Sequence, residues 1–446
     1  MLANEYIAIG VLALVFFLII ERRKINNIPI WTSMLIGAGL LVGLQVISIE
    51  DALKAINLDV IIFLFGMFSI VSALDRSGVL KYVTAKLLNG ANSNVNSILL
   101  VFVIGLGILS AFLVNDTIAL LGIPLVIHIS RQIGLRPTVL FIALAFGISI
   151  GSVMTPIGNP QNLLIAIKSG IPLPFLTFMK WLVIPTMLNL VLTYFILKVY
   201  FKKELLKVPN HINFSNKIVA MKESELLSTN SVTNPYLARI SAIILFLTIA
   251  GFIISEILQF IFHITYFNIS VIAALGAIAL YALSNERREI LYDVDYSVLV
   301  FFAAMFVFTA ALWTSGLIPE IMSNIQNPLP DHNNNIRNNA IISIVSVTFS
   351  QILSNVPFVT LYNNVMISNG FNADDVSEWM MLAAASTIAG NLTIFGAASN
   401  IIIIEAAESR GVKAFSYSEF LKIGFIVTVA NLAVYYLFIT FLFGRM

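Results

Sequence analysis

The stretch Ser110-Ala-Phe-Leu-Val-Asn115-Asp116-Thr117 comes back as Ser350-Gln-Ile-Leu-Ser-Asn355-Val356-Pro357, each time in the middle of a long apolar run. A polar interruption there is costly in a bilayer. A helix satisfies its own backbone, so any break at membrane depth must be buried in protein or face a water-filled cavity. Matching interruptions in two halves of a chain point to the binding site of a secondary transporter. The repetition therefore predicts an all-α polytopic membrane carrier built twice.

Composition agrees. The chain of 446 residues is 59% hydrophobic and 11% charged, with a mean hydropathy of +0.94, far more apolar than a soluble domain at about 45–50% apolar and 25% charged. There is no cysteine, which removes disulfides and thiolate metal sites from consideration. The net charge of +2, without a basic stripe, implies no nucleic-acid partner. The first apolar segment lacks a preceding cation and a small-residue cleavage pattern, so it reads as a retained span.

Spans of about 20 apolar residues are expected near 5–21, 30–48, 59–75, 138–168, 175–200, 236–262, 267–283, 296–313, 379–409 and 421–443. Two further runs, 97–130 and 340–368, are interrupted by the Asn115 and Asn355 motifs and read as re-entrant hairpins of two half-helices. The chain divides into a first transmembrane repeat (1–200), a cytoplasmic linker (201–235) rich in lysine, and a second repeat (236–446). Lysine and arginine concentrate in one set of loops, including Arg22, Arg23, Lys24, Arg76, Arg131, Arg136, Lys202, Lys203, Arg287 and Arg288. The opposite set holds only Lys54, Lys168, Lys180, Arg337 and Arg445. The positive-inside rule then puts the N-terminus outside and the linker in the cytoplasm; the expected location is the plasma membrane. Thr155, Gly158 and Asn162 pair with Thr393, Gly396 and Asn400, and Met67 with Met305, at one constant spacing. Each repeat holds five crossings plus a hairpin; five is odd, so the second copy is expected upside down relative to the first.

The chemistry gathers at the breaks. Thr155-Pro-Ile-Gly158-Asn159-Pro-Gln-Asn162 carries two prolines that remove backbone donors and a glycine that allows close approach, so the crossing should unwind at mid-depth. Its counterpart is Gly390-Asn-Leu-Thr393-Ile-Phe-Gly396-Ala-Ala-Ser399-Asn400. Asn115 and Asn355 are placed to cap the half-helix that follows or to coordinate a cation through the amide oxygen. Half-helix N-termini favour anions and freed carbonyls hold Na⁺. The expected ligand cradle is Asn115, Asp116, Thr117, Thr155, Gly158, Asn159, Asn162, Ser354, Asn355, Thr393, Gly396, Ser399 and Asn400, with Na⁺ near Asn115, Gly158, Asn355 and Gly396. Asp116 is the only acidic residue between 97 and 130, and its counterpart is Val356. An ionisable group at that depth is a functional hypothesis by default, and Asp116 is the candidate proton carrier; the plain alternative is a cap on a half-helix starting near Thr117. Glu405 and Glu408 read as an interfacial ion cluster with Arg410 and Lys413, His128 as interfacial, and Asp59 and Asp75 as snorkelling or capping groups at the two ends of one span. Gly105-Leu106-Gly107 reads as close helix packing.

Taken in order, Phe112-Leu-Val-Asn-Asp-Thr117, Thr155 to Asn162, Ser354-Asn-Val-Pro357 and Gly390 to Asn400 resemble the arsenite permease and sodium/proton antiporter branch of the ion transporter superfamily. Citrate transporters and divalent-anion/sodium symporters are more distant relatives. The resemblance spans about 28 to 443 and is specific at superfamily level. The tips Val114-Asn115-Asp116 and Ser354-Asn355-Val356 depart from the Ser-Asn-Thr tips of dicarboxylate symporters and sit with the arsenite-permease side. What this implies is transport of a small anion or metalloid oxyacid coupled to H⁺ or Na⁺, no other cofactor, and a homodimer in the lipid bilayer. The alternatives are a Na⁺/H⁺ antiporter, a Na⁺-coupled di- or tricarboxylate symporter, and a channel. An intramembrane enzyme is not expected: the repeat mate of Asp116 is a valine, and no histidine lies at mid-depth to serve as a base.

Overall fold

The structure, a computed structural model, describes residues 2–21, 28–80, 82–83, 86, 94–208, 232–262, 268–324 and 334–443. Most of the expected linker, residues 209–231, and the cations Arg22, Arg23, Lys24 and Arg445 lie outside them. Every regular element among the described residues is a helix. In chain order these are α1 (Leu2–Ile20), α2 (Ile30–Gly43), α3 (Ile49–Ala55), α4 (Leu58–Arg76), α5 (Val95–Leu113), α6 (Asn115–Ile133), α7 (Pro137–Gly151), α8 (Pro160–Lys168), α9 (Pro174–Tyr200) and α10 (Lys202–Leu205). Then follow α11 (Pro235–Phe262), α12 (Ile269–Leu283), α13 (Arg287–Tyr292), α14 (Tyr296–Thr314), α15 (Leu317–Asn324), α16 (Asn335–Leu353), α17 (Asn355–Ser368), α18 (Val376–Ala389), α19 (Ala398–Glu408) and α20 (Tyr417–Leu437).

Local sequence explains most of the starts. Pro137, Pro160 and Pro174 occupy first-turn positions, where a missing N–H costs nothing. The Asn57 side chain accepts from Val60 N and the Asp295 side chain from Ser297 N, opening α4 and α14 alike. Eight helices among the described residues are long and apolar enough to cross a bilayer; α2, α12 and α18 are shorter and apolar. The molecule is a polytopic all-α membrane protein.

Packing between the two halves is reciprocal. Helix α12 lies along α4, while α14 lies along α2; α19 lies along α6, while α8 lies along α17. Residues one repeat apart also touch each other. Asn431 Nδ2 donates to Thr193 Oγ1 at 3.1 Å, and Ser149 Oγ to the Thr387 carbonyl at 3.4 Å, each pair separated by 238 positions. Helices α7 and α18, which carry Ser149 and Thr387, are buried along essentially their whole length.

Close packing uses glycine where the sequence suggested it. A Cβ on Gly107 would lie 2.7 Å from the Gly147 carbonyl oxygen, and one on Gly147 would meet the Phe102 and Val103 carbonyls at 2.7 Å. The π-helical turn at Val101–Gly105 lies where α5 packs against α7. Two expectations change. Three of the four hairpin arms are longer than half-helices: α5, α6 and α16 each hold 19 residues, about 28 Å at 1.5 Å per residue, whereas α17 holds 14. Asp59 does not snorkel; it accepts from Asn268 Nδ2 at 3.1 Å and Ser270 Oγ at 2.6 Å, fastening α4 to the start of α12.

Candidate transport site

At the first tip Val114 takes φ 63°, and at the second Ser354 takes φ 66°. A β-branched residue in that region is a backbone outlier, and strain of this kind persists only where surrounding contacts hold it. The contact is the same in both halves: Asn115 N donates to the Gly158 carbonyl at 2.9 Å, and Asn355 N to the Gly396 carbonyl at 3.1 Å. Each hairpin tip is thereby fixed to the break of its own half.

The expected cap is absent. Helices α6 and α17 begin at Asn115 and Asn355 themselves, one residue earlier than a cap requires, with no side-chain cap bond. Both amide oxygens, Asn115 Oδ1 and Asn355 Oδ1, are buried and accept no hydrogen bond. Asp116 and Thr117 likewise lie inside the first turn, so the capping alternative for Asp116 falls with it.

The breaks are held open by their own polar residues. Helix α7 ends through a 3₁₀ turn at Ser152–Met154, and the chain re-enters α8 at Pro160. Asn162 Nδ2 donates to the Thr155 carbonyl at 3.1 Å, as Asn400 Nδ2 does to the Thr393 carbonyl at 3.4 Å and the Gly390 carbonyl at 2.7 Å. Thr155 Oγ1 donates to the Ala111 carbonyl on α5; in the second half Thr393 Oγ1 donates to Gln351 Oε1 at 2.8 Å, and Gln351 Nε2 to the Ala389 carbonyl at 2.9 Å. Thr155, Asn162, Thr393 and Asn400 therefore shape the backbone of the breaks, which leaves Asn400 Oδ1 and Ser399 Oγ buried and unpartnered. Gly158 and Gly396 allow close approach: a Cβ on the first would strike the Ser152 backbone, and one on the second would sit 2.9 Å from the Ala389 carbonyl oxygen.

The halves join through a residue that the sequence reading missed. Thr387 Oγ1, buried in α18, lies 3.3 Å from Gln161 Nε2, 3.4 Å from Asn159 Nδ2 and 3.4 Å from Asn162 Oδ1. Its signal in the sequence is a hydroxyl pair, Ser386-Thr387, closing the apolar run 379–385, 238 positions from Ser149.

Asp116 faces open space. It lines a cavity of about 350 Å³ with Asp75, Thr117, Asp293 and Asp295, and a second of about 290 Å³ with Asp295, Ser297 and Glu405. Glu405 thus faces the interior rather than only an interfacial cluster, and Asp75 faces the first cavity. That cavity is bounded by an ion cluster in which Arg76 reaches Glu286 at 2.6 Å and Asp293 at 3.0 Å. Hydrogen bonds from Arg76 and then from Asn234 hold the Glu286 carboxyl below its ordinary range. A smaller cavity of about 130 Å³ lies at the second tip, between Gln351, Ser354, Pro357 and Phe395.

Paired broken helices, strained tips and buried unpartnered amides in a polytopic helical protein define a membrane transporter. Sequence comparison places it further. The citrate transporter family, CitMHS, matches residues 15–378, and the chain belongs to that family. A 46 kDa membrane protein of Mycobacterium leprae is 28% identical, covering 96% of both chains. A silicon efflux transporter, LSI3, of Oryza sativa subsp. japonica is 25% identical over 88% of each chain. A putative transporter, arsB, of Dictyostelium discoideum is 25% identical over 93% of this chain and 88% of its own length. These relatives fit the arsenite-permease branch that the motifs resemble.

Proposed function

We propose that this transporter moves a small anion or metalloid oxyacid by alternating access, coupled to H⁺ or Na⁺, with the passenger held between the two hairpin tips and the two breaks. The observation that carries the proposal is the pair of buried, unpartnered amide oxygens on Asn115 and Asn355, each on a strained tip tied to a broken helix. Buried polar atoms in native proteins are normally satisfied, and these four, the amide oxygens of Asn115, Asn355 and Asn400 with Ser399 Oγ, suit a passenger that donates hydroxyl protons, such as a metalloid hydroxy acid, better than an apolar one. Asp116, buried and facing the acidic cavity, is the proton carrier in this reading. Relatives named for silicon efflux and as arsB support a hydroxy-acid passenger; the family's name supports a carboxylate one.

The repeat reading extends to orientation. Reciprocal helix pairing and contacts between equivalent residues support two copies related by an axis in the membrane plane, with the N-terminus outside and the linker inside a plasma membrane. A second reading, Na⁺ coupling, draws on the neutral oxygens at the tips: the Asn115 and Asn355 amides and the Gly158 and Gly396 carbonyls are the donor type that Na⁺ accepts.

A thermal-shift panel of arsenite, silicate, sulfate, citrate, Na⁺ and Li⁺ on the purified protein tests the proposal. One oxyacid is expected to raise the melting temperature of wild type and not of Asn115→Ala or Asn355→Ala. Stabilisation that survives both substitutions would place the passenger elsewhere.

A further inference from the structure

The acidic cavity has a twin, and the repeat supplies its own control. Moved to repeat register, Phe68, Leu121 and Asp295 of the acidic cavity become Phe306, Leu361 and Asn57, and these line a separate cavity of about 200 Å³ with Thr360 and Lys168. The four aspartates of the first cavity, Asp75, Asp116, Asp293 and Asp295, correspond to Trp313, Val356, Ala55 and Asn57. A cavity stands at this place in both halves, and acid lines only one of them.

Position 295 is the informative one. Asp295 Oδ1 accepts from Ser297 N at 3.1 Å to open α14, and Asn57 Oδ1 accepts from Val60 N at 3.2 Å to open α4. Asparagine and aspartate cap helices about equally well, so the cap does not require a carboxylate. What Asp295 adds is charge, and it shares both larger cavities with Asp116. Asp116 is 6% exposed, and its side chain makes no hydrogen bond or ion pair among the described residues.

We propose that Asp295 is a positioning carboxylate for proton exchange at Asp116, acting through its charge across the shared cavity rather than through its helix cap. The inference rests on the reading of Asp116 as proton carrier. An ionised neighbour disfavours a second ionised carboxylate, so a proton arriving from water through the cavity is held on an Asp116 oxygen. Other charged or titratable groups surround the pair. Asp75 on α4 and Asp293 after α13 share the first cavity, and Arg76 neutralises Asp293. Glu405 on α19 shares the second cavity, with Glu408 one turn on, and His128 and Arg131 lie further along α6 itself. Arg76 leaves Asp295 as the carboxylate common to both cavities with no cation paired to it among the described residues.

Infrared titration of the full-length protein in nanodiscs tests this without any passenger, the probe being the proton. The protonated-carboxyl C=O band that Asp116→Asn removes is followed between about pH 4 and 9, a window spanning the usual and raised carboxyl range. In Asp295→Asn, which keeps the cap, the midpoint of that band is expected to fall by about half a pH unit or more through loss of the like charge. It should stay near wild type in Asp295→Glu, which keeps the charge, and in Asn57→Asp, which adds charge to the twin cavity. An unchanged midpoint in Asp295→Asn overturns the role of Asp295 and leaves the Asp116 reading standing. If Asp116→Asn removes no titrating band, the Asp116 reading fails and this inference fails with it.

Discussion

Replacing Gly158 with alanine asks the first break to house a carbon for which it has no room. The added Cβ would meet the carbonyl oxygen, carbonyl carbon and Cα of Ser152, all backbone atoms, which cannot swing aside as the end of a side chain does. Overpacking a close-packed interior costs about 1–3 kcal/mol. Relief by moving the 158 carbonyl weakens the 2.9 Å bond from Asn115 N, roughly another 1 kcal/mol. The sum, about 2–4 kcal/mol, falls on the union of tip and break. At about 1.4 kcal/mol per factor of ten, the ratio of joined to parted tip and break drops at least tenfold, and initial uptake of the passenger into proteoliposomes should fall as the joined state is depleted. Gly39→Ala is the control, because nothing lies within 4 Å of a Cβ there; its rate and melting temperature should match wild type. A Gly158→Ala protein that transports and melts like wild type would refute the claim that the tip depends on the break.

Other perturbations give equally direct readouts. Glu256, buried in α11, accepts from Phe175 N at 2.6 Å and Leu176 N at 3.3 Å at the start of α9, where Leu173 sits at φ 48°. Glu256→Ala should cost about 2–4 kcal/mol in unfolding stability, given that bonds to charged groups contribute about 1.5–3 kcal/mol, and Glu256→Gln should recover part of it. Thr387→Val removes the hydroxyl shared by Asn159, Gln161 and Asn162 and should slow transport more than it lowers the melting temperature. Glu286, held below the usual carboxylate range by Arg76 and Asn234, contributes stability above its unfolded value, about 4.3, and loses it as pH falls through the lower folded value. Stability measured from pH 6 to about pH 3 should therefore drop less steeply in Glu286→Gln than in wild type.

Much of this was legible because polar residues inside apolar runs are expensive. The two Asn tips, the Thr155 to Asn162 and Gly390 to Asn400 breaks, and the constant spacing of the repeat all stand out against hydrocarbon-compatible sequence, and they are where the chain bends. The division of labour among them was not legible. Asn162 and Asn400 bond backbone carbonyls, whereas Asn115 and Asn355 leave their oxygens unpartnered, a distinction created by tertiary contacts. The capping expectation failed for a local reason: Val114 and Ser354 take positive φ, so each helix starts on the asparagine and cannot use its side chain as a cap. Thr387 and Gln351 escaped notice because their partners come from distant parts of the chain, and Asp295 because its only bond among the described residues is a local helix cap while the cavity that it shares with Asp116 is built by the tertiary fold.

The most direct test of the account is proton movement driven by the passenger. Proteoliposomes loaded with a pH-sensitive dye receive, in turn, the oxyacids of the thermal-shift panel. Wild type is expected to move protons with one of them, and Asp116→Asn to bind that same compound, by thermal shift, without moving protons. Passenger-coupled proton flux of wild-type size through Asp116→Asn would contradict the account.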